Sequence, residues 1–383
     1  MWVSHLSLSN FRNYTSAEID LKPGFNLFLG ANGQGKTNAI EAIAYFTNLS
    51  SHRVSQDLAL IRTNCESAIV RMRVHRGERE TLLEFQLNKA LKNRAQINKS
   101  PAKPRQLTEN FSTVVFAPED LQIVRGEPSV RRKFLDQTQT LRNPHFSALI
   151  SEYEKVVKQR NALLKTAKIQ RSQGFEKPES IVTTLEIWDA RLVELGVKIW
   201  RARIQLLHAL KPFFENAYQQ LTNSDHQLSA ELITNDISNF VELSDVEIQE
   251  RFWDALNANR ASDFARAQTS IGPHRDDLEL SLNALPVKGY ASHGETWSFV
   301  LAMRLAVAEL LKKESTAGDP VLILDDVFAE LDKSRRDKLF CAAQDFEQTI
   351  VTAAVADDVP KNINWHVVHI QKGEVIPGEV TNV

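Results

Sequence analysis

The chain of 383 residues contains only two cysteines, Cys65 and Cys341, far apart in sequence. A disulfide framework and a cysteine-rich zinc site are thereby excluded, and a reducing compartment fits. No apolar stretch approaches the length of a membrane span. The start, Met1 to Leu8, alternates like a strand and lacks the cationic lead and apolar block of a signal peptide. The ten histidines include no pair at metal-ligand spacing near acids, and no Ser-His-Asp set stands out. Net charge of one sign is missing too: 46 basic against 48 acidic side chains give −2, so whole-chain charge announces no polyanion partner. These absences predict a soluble, cytoplasmic protein without a membrane partner.

The charge that is present is unevenly placed. From Arg53 to Arg105 twelve Lys/Arg face five Asp/Glu, whereas from Asp225 to Ala265 only Arg251 and Arg260 oppose nine acids. One lobe is basic and another acidic; the basic one reads either as a solvated sheet face or as a surface for an anionic polymer.

Residues Gly30-Ala31-Asn32-Gly33-Gln34-Gly35-Lys36-Thr37 spell G-x-x-x-x-G-K-T after the apolar run Phe25 to Leu29. Glycines let successive backbone N–H groups turn toward an anion, Lys36 supplies a mobile charge for the β- and γ-phosphates, and the Thr37 hydroxyl suits Mg²⁺. A helix with the stripe Ile40, Ile43, Ala44 and Phe46 should follow, free of Gly and Pro from Thr37 to Asn48. The pattern predicts a site for a nucleoside triphosphate.

To about Leu141 the chain reads as mixed sheet, with strands expected at Trp2 to Leu8, Ala17 to Leu21, Phe25 to Leu29, Ala68 to Val74, Thr81 to Leu87 and Thr113 to Phe116. The pair around His75 to Glu80 looks like a hairpin. Phe146, Leu149, Tyr153, Val156, Arg160, Leu163 and Ala167 then step by three and four, as do Leu185, Trp188, Leu192, Leu195, Ile199, Ala202 and Leu206. They predict a short antiparallel helical arm, turning at Ser172 to Ser180. Ser244-Asp245-Val246-Glu247 is a capping box that starts another helix, through about Ala258. Strands return at Leu278 to Leu282, Val321 to Leu324, Thr349 to Thr352 and His366 to Ile370. The expected organisation is an α/β head from residues 1–141 and 265–383, with a helical arm domain, 142–264, inserted in it.

Val321 to Leu324 ends in Asp325-Asp326. A buried strand holds Asp325 at the sheet edge, where it can orient water on Mg²⁺, and the next carboxylate can polarise the attacking water. Ser292-His293-Gly294-Glu295 precedes a long helix with Phe299, Ala302, Met303, Ala306, Val307 and Leu310 on its apolar face. Alone, Ser292 is an ordinary N-cap. Upstream of Asp325-Asp326, however, it resembles the signature motif of ABC-type ATPases. That resemblance implies that Ser292, Gly294 and Glu295 form a signature used in trans, its helix N-terminus and Ser292 binding the γ-phosphate of ATP held by a partner subunit.

The order of Phe11-Arg12-Asn13-Tyr14, Gly30 to Thr37, Phe116 to Asp120, Gly272 to Asp277, Ser292 to Glu295 and Asp325 to Asp332 resembles the RecF family through nearly the whole chain. The resemblance implies an ABC-type, SMC-like P-loop ATPase head with an inserted helical arm. It further implies ATP and Mg²⁺ as cofactors, an ATP-dependent homodimer, and binding to single-stranded, double-stranded and gapped DNA. RecO and RecR are implied as partners in promoting RecA loading, within DNA repair, replication and the SOS response, in a nucleoid-associated cytoplasmic location. On this reading Thr37 and Asp325 hold Mg²⁺, and Lys36 and Asp326 are catalytic.

Departures from the wider ABC pattern predict slow hydrolysis used as a switch, and the resemblance implies that DNA stimulates it. Asp326 is one methylene shorter than the usual Glu, a Thr replaces the His expected near Thr349 to Ala354, and no Gln sits at the usual sensing position, although Gln122 is close. His274-Arg275-Asp276 copies a kinase triplet without the other kinase motifs, so Gly272-Pro273 reads as a turn whose charges brace the head. A transporter subunit is disfavoured by the missing His and Gln, a chromosome-organising SMC protein by the short arms. A nuclease is disfavoured because no spare carboxylate cluster exists.

Overall fold

The computed structural model describes residues 1–51, 53–54, 56–172, 179–234, 242–315, 318–361 and 363–376. Strands run at Trp2–Phe11 (β1), Tyr14–Asp20 (β2), Gly24–Leu29 (β3), Ser67–Arg76 (β4), Arg79–Asn88 (β5), Arg94–Ile97 (β6), Ser100–Ala102 (β7) and Thr113–Phe116 (β8). They continue at Leu228–Ile233 (β9), Asp277–Leu282 (β10), Leu285–Pro286 (β11), Val321–Leu324 (β12), Gln348–Ala353 (β13), His366–Gln371 (β14) and Glu374–Ile376 (β15). The longer helices are Lys36–Asn48 (α1), Pro128–Arg142 (α2), Phe146–Ser172 (α3), Glu179–Thr222 (α4), Asp245–Arg266 (α5), His293–Glu314 (α6) and Lys333–Ala343 (α7). Among the described residues no helix is long and apolar enough to cross a membrane.

The chain forms two compact units, one of Met1–Leu121, Phe213–His226 and Ala291–Val383, the other of Gln122–Pro212 and Gln227–Tyr290. Contacts thus cut the chain elsewhere than composition does at 141/142 and 264/265. In the second unit α2 is tied to β10 by a bidentate ion pair, Arg131 to Asp277 at 2.6 and 2.8 Å. The end of α4, beyond Pro212, packs in the first unit, where Phe214 meets Phe299 edge-on with centroids 4.9 Å apart.

The first unit is built on a sheet of order β15-β14-β3-β13-β12-β8. From β14 through β8 all neighbours are parallel, and only β15 is antiparallel. All residues of β12 and β13 are buried, as parallel strands covered on both faces require. A second, antiparallel sheet has the order β2-β1-β4-β5-β6-β7. Leu6, Leu8 and Val70 of that sheet share one core cluster with Phe28, Ile323 and Ile350 of the first. Ile40, Ile43 and Phe46 of α1 complete this cluster, so the helix after the phosphate loop is clamped by its apolar stripe. The β4–β5 hairpin closes tighter than His75 to Glu80 suggests: Arg76 pairs with Arg79, and Gly77 takes the left-handed φ of +56° that the two-residue turn needs.

In the second unit Tyr153 and Val156 of α3 pack with Leu192, Leu195, Ile199 and Trp200 of α4 and with Ile248 and Phe252 of α5. The seams are as expected except that Leu164, not Leu163, is the fully buried leucine. Arg160 belongs in its seam because it is paired: its guanidinium meets Asp189 and Asp263, each at 2.6 Å, with all three side chains fully buried. The expected arm turn falls largely on residues 173–178, outside the described residues. Helix α4 runs 44 residues, longer than its seam. Ser244 caps α5 with the expected capping box, and the helix extends past Ala258 to Arg266.

Two expectations are corrected, and one strand was not expected. Residues up to Leu141 are not all mixed sheet, because α2 starts with Pro128 in its first turn and buries Phe134, Leu135 and Thr138 along one stripe. Strand β9, Leu-Ser-Ala-Glu-Leu-Ile, is the unexpected one, and it pairs antiparallel with β10. The charges of His274 to Asp276 brace the helical unit rather than the head: Asp276 accepts from the Trp200 indole at 2.6 Å and faces Arg203 at 3.3 Å.

Candidate nucleotide-binding site

The phosphate loop leaves β3 and opens α1. Gly30 lies so close to β14 that a Cβ would stand 2.2 Å from the Ile370 carbonyl oxygen. Gly35 sits at φ +121°, and a Cβ there would meet the Asn13 carboxamide at 2.6 Å. Both positions therefore require glycine. Ala31, Asn32 and Gly33 are exposed, Gln34 is half-buried, and Lys36 is buried with its ammonium on the carbonyls of Gly30 (2.7 Å) and Ala31 (3.3 Å). The loop thus places a cation among its own backbone dipoles.

Across the sheet edge, Thr37 Oγ1 donates to Asp325 Oδ1 at 3.1 Å, which joins two motifs 288 residues apart. Asp325 is buried, and burial pushes its carboxyl up to about 6. The neighbouring charges of Asp326 and Glu119 push the same way, while hydrogen bonds from Thr352 and Thr37 oppose them. A hydroxyl and a carboxylate converging at an otherwise uncompensated charge are the hard oxygen donors that Mg²⁺ takes when phosphates and water complete its shell. Asp326 follows in a left-handed conformation, φ +49°, with its N–H on Thr352 Oγ1 at 2.8 Å. The Thr352 hydroxyl donates its one proton to Asp325 Oδ1 at 2.8 Å and accepts from the Asp326 N–H, with Asp326 Oδ1 3.3 Å away, so one Thr is tied to both acidic residues. Sequence reasoning assigned it no role, because nothing local to Thr352 signals two acids 26 and 27 residues upstream. Gln122 belongs to the second unit.

Ser292 caps α6: its Oγ accepts from the Glu295 N–H at 3.3 Å, and its own N–H donates to Glu295 Oε2 at 2.8 Å. Hydrogen bonds from the Ser292 side chain and backbone N–H hold the Glu295 carboxyl below its usual range. Gly294 faces α7, where a Cβ would stand 2.7 Å from the Arg335 guanidinium. Arg335 in turn pairs with Asp332 at 3.0 Å, and His293 lies 3.6 Å from Glu330. The signature segment is therefore coupled, within one subunit, to the stretch that follows Asp325-Asp326. Ser292 itself is exposed.

Of the basic stretch, Arg71 pairs with Glu84, Arg73 with Glu80 at 3.4 Å and Lys89 with Glu66 at 3.9 Å. Arg79, Lys92, Arg94, Lys99 and Lys103 are exposed along the β4–β5 turn and the β5–β6–β7 end of the antiparallel sheet.

Over residues 2–374 the chain matches the RecF/RecN/SMC N terminal domain family. It is 48% identical to the DNA replication and repair protein RecF of Leifsonia xyli subsp. xyli (strain CTCB07), over 98% of this chain and 99% of that one. It is also 48% identical to the protein of the same name from Clavibacter michiganensis subsp. michiganensis (strain NCPPB 382), over 98% and 96%. A solved structure of the recombination mediator protein RecF-ATP in the RecFOR pathway has the same fold, with a TM-score of 0.88 and 28% identity over 98% of this chain and 97% of that one. Similarity of this extent along both chains establishes the ABC-type, SMC-like head, and the chain belongs to the RecF family of DNA replication and repair proteins.

Proposed function

We propose that this chain is an ATP-driven switch that binds DNA in recombinational repair and replication restart. The observation that carries the reading is the bond from Thr37 to Asp325, which brings the end of the phosphate loop to a buried carboxylate at the edge of the same sheet. ATP lies along Gly30 to Thr37, with Lys36 at its β- and γ-phosphates. Thr37 and Asp325 would hold Mg²⁺, which would supply charge neutralisation at the phosphates. Asp326 takes a proton from the water whose oxygen bonds to the γ-phosphorus as the bond from that phosphorus to the bridging oxygen breaks, leaving ADP and inorganic phosphate. Its short side chain makes this step slow, which suits a clamp held shut by ATP.

Each chain carries one phosphate loop and one signature, so two chains close two sites about a two-fold axis, Ser292, Gly294 and Glu295 of each reaching the ATP of the other. DNA, single-stranded, double-stranded or gapped, lies against exposed cations such as Arg79, Arg94 and Lys99 and is contacted through phosphates. By family, RecO and RecR are the partners in loading RecA.

Binding of the full chain to duplex, single-stranded and gapped DNA, with and without Mg²⁺-ATP, tests the reading. Retention that depends on ATP is expected; equal retention without nucleotide would remove the switch.

A further inference from the structure

The phosphate loop is held from outside by the turn between β1 and β2. Asn13 Nδ2 donates to the Gln34 carbonyl at 3.0 Å, and the next residue, Tyr14, donates its hydroxyl to the next carbonyl, that of Gly35, at 2.9 Å. In a planar trans peptide the C=O and the following N–H point in opposite directions. Fixing two successive carbonyls toward the β1–β2 turn therefore fixes the N–H groups of Gly35 and Lys36 away from it, as a phosphate cradle needs.

The polarity of this arrangement is set by a chain of bonds that begins at an arginine. Arg53 Nη1 donates to Asn38 Oδ1 at 3.1 Å, Asn38 Nδ2 donates to Asn13 Oδ1 at 2.8 Å, and Asn13 Nδ2 then faces Gln34. A guanidinium can only donate, so each carboxamide along the chain has one workable orientation. The turn between β14 and β15 reinforces the same joint, with Gly373 N on the Gln34 carbonyl at 2.9 Å and Lys372 N on its side-chain oxygen at 2.7 Å.

We propose that Asn13 and Tyr14 are positioning residues of the nucleotide site. Without touching the ligand, they aim two consecutive N–H groups at the phosphates of a nucleoside di- or triphosphate. The proposal rests on the reading of Gly30 to Thr37 as a phosphate cradle.

The test is calorimetric titration of the full chain with Mg²⁺-ATP and Mg²⁺-ADP, together with its nucleotide-free melting point. Tyr14→Phe keeps the buried ring and removes only the hydroxyl, so it should weaken both nucleotides about five-fold at unchanged stoichiometry, the size expected of one hydrogen bond. Asn13→Ala should weaken them at least as much. Asn13→Asp keeps the acceptor toward Asn38 but presents no donor to Gln34, and should bind no better than Asn13→Ala. Parental affinity in Tyr14→Phe or Asn13→Asp would overturn the proposal. So would variants that lose binding sites per chain while the remaining sites keep parental affinity, since that is the mark of a folding role alone. If the parent chain binds neither nucleotide, the cradle reading itself fails; if the parent binds and the variants match it, only the positioning role fails.

Discussion

Thr352 donates its hydroxyl to the same oxygen of Asp325, Oδ1, that accepts from Thr37, the first bond at 2.8 Å and the second at 3.1 Å. Two hydroxyls on one oxygen orient a carboxyl whose ionisation burial opposes. The strand therefore holds a charge that is costly until a cation arrives.

That cost has a sign in pH. Burial raises the Asp325 carboxyl to about 6, so below that pH the folded chain keeps a proton down to about pH 4 that the unfolded chain has released. Its contribution to stability falls as pH rises through this window and stays low above it. Asp325→Asn should therefore stabilise the nucleotide-free chain at pH 7.5, by at most on the order of 3 kcal/mol, and raise its melting point accordingly, with the gain vanishing near pH 4. Scanning calorimetry between pH 4 and 8 checks this. A variant less stable than the parent at pH 7.5 and equal to it at pH 4 would contradict it.

Asp326→Asn should leave Mg²⁺-ATP bound, because Thr37 and Asp325 remain, and should stop the activation of water. The dimer should then persist in ATP. Sedimentation velocity with ATP reads the outcome, and a variant that stays monomeric speaks against Asp326 as base.

DNA affinity should fall steeply with salt. Each phosphate contact releases counterions, with a slope of log affinity against log salt of about −0.9 per contact on duplex. A flat response between low and moderate salt would remove the docking surface inferred around Arg79, Arg94 and Lys99.

Ser292→Arg separates a helix cap from a composite site. Loss of the cap alone costs about 1 kcal/mol and leaves ATP binding and dimerisation proportional to the folded fraction. If Ser292 also reaches a partner's nucleotide, the monomer should bind ATP normally while dimerisation and hydrolysis are lost together. Mixing Ser292→Arg with Lys36→Met chains should restore part of the ATPase, because their heterodimer pairs one intact loop with one intact signature. No recovery despite heterodimers measured by mass spectrometry would count against the shared site.

What was legible in the sequence was local. Gly30 to Thr37 could be read because its spacing is dictated by a single turn, and β8 and β12 begin and end at the residues expected of them because short apolar runs are bounded by polar ones. The capping boxes at Ser244 and Ser292 were equally readable, since a cap and its N3 partner are three residues apart. Strand β9 was not, because its partner lies more than forty residues downstream. Nor were the bonds from Asn13 and Tyr14 to the loop, which depend on how the β1–β2 turn packs against α1. The roles of Thr352 toward Asp325 and Asp326 arise only when β12 and β13 lie side by side.

The strand order of the central sheet sets a timetable for synthesis. Strand β3, which ends at the phosphate loop at Leu29, lies between β13, which ends at Ala353, and β14, which starts at His366, so neither neighbour exists until the chain has grown more than about 300 residues beyond it. At roughly 5–20 residues per second, that is about twenty seconds to a minute in which β3 has no partner in its sheet. A ribosome that stalls before His366 releases a chain that carries every residue of the phosphate loop and no wall behind Gly30. Such a fragment also exposes the edge of β3 on which β14 would pair.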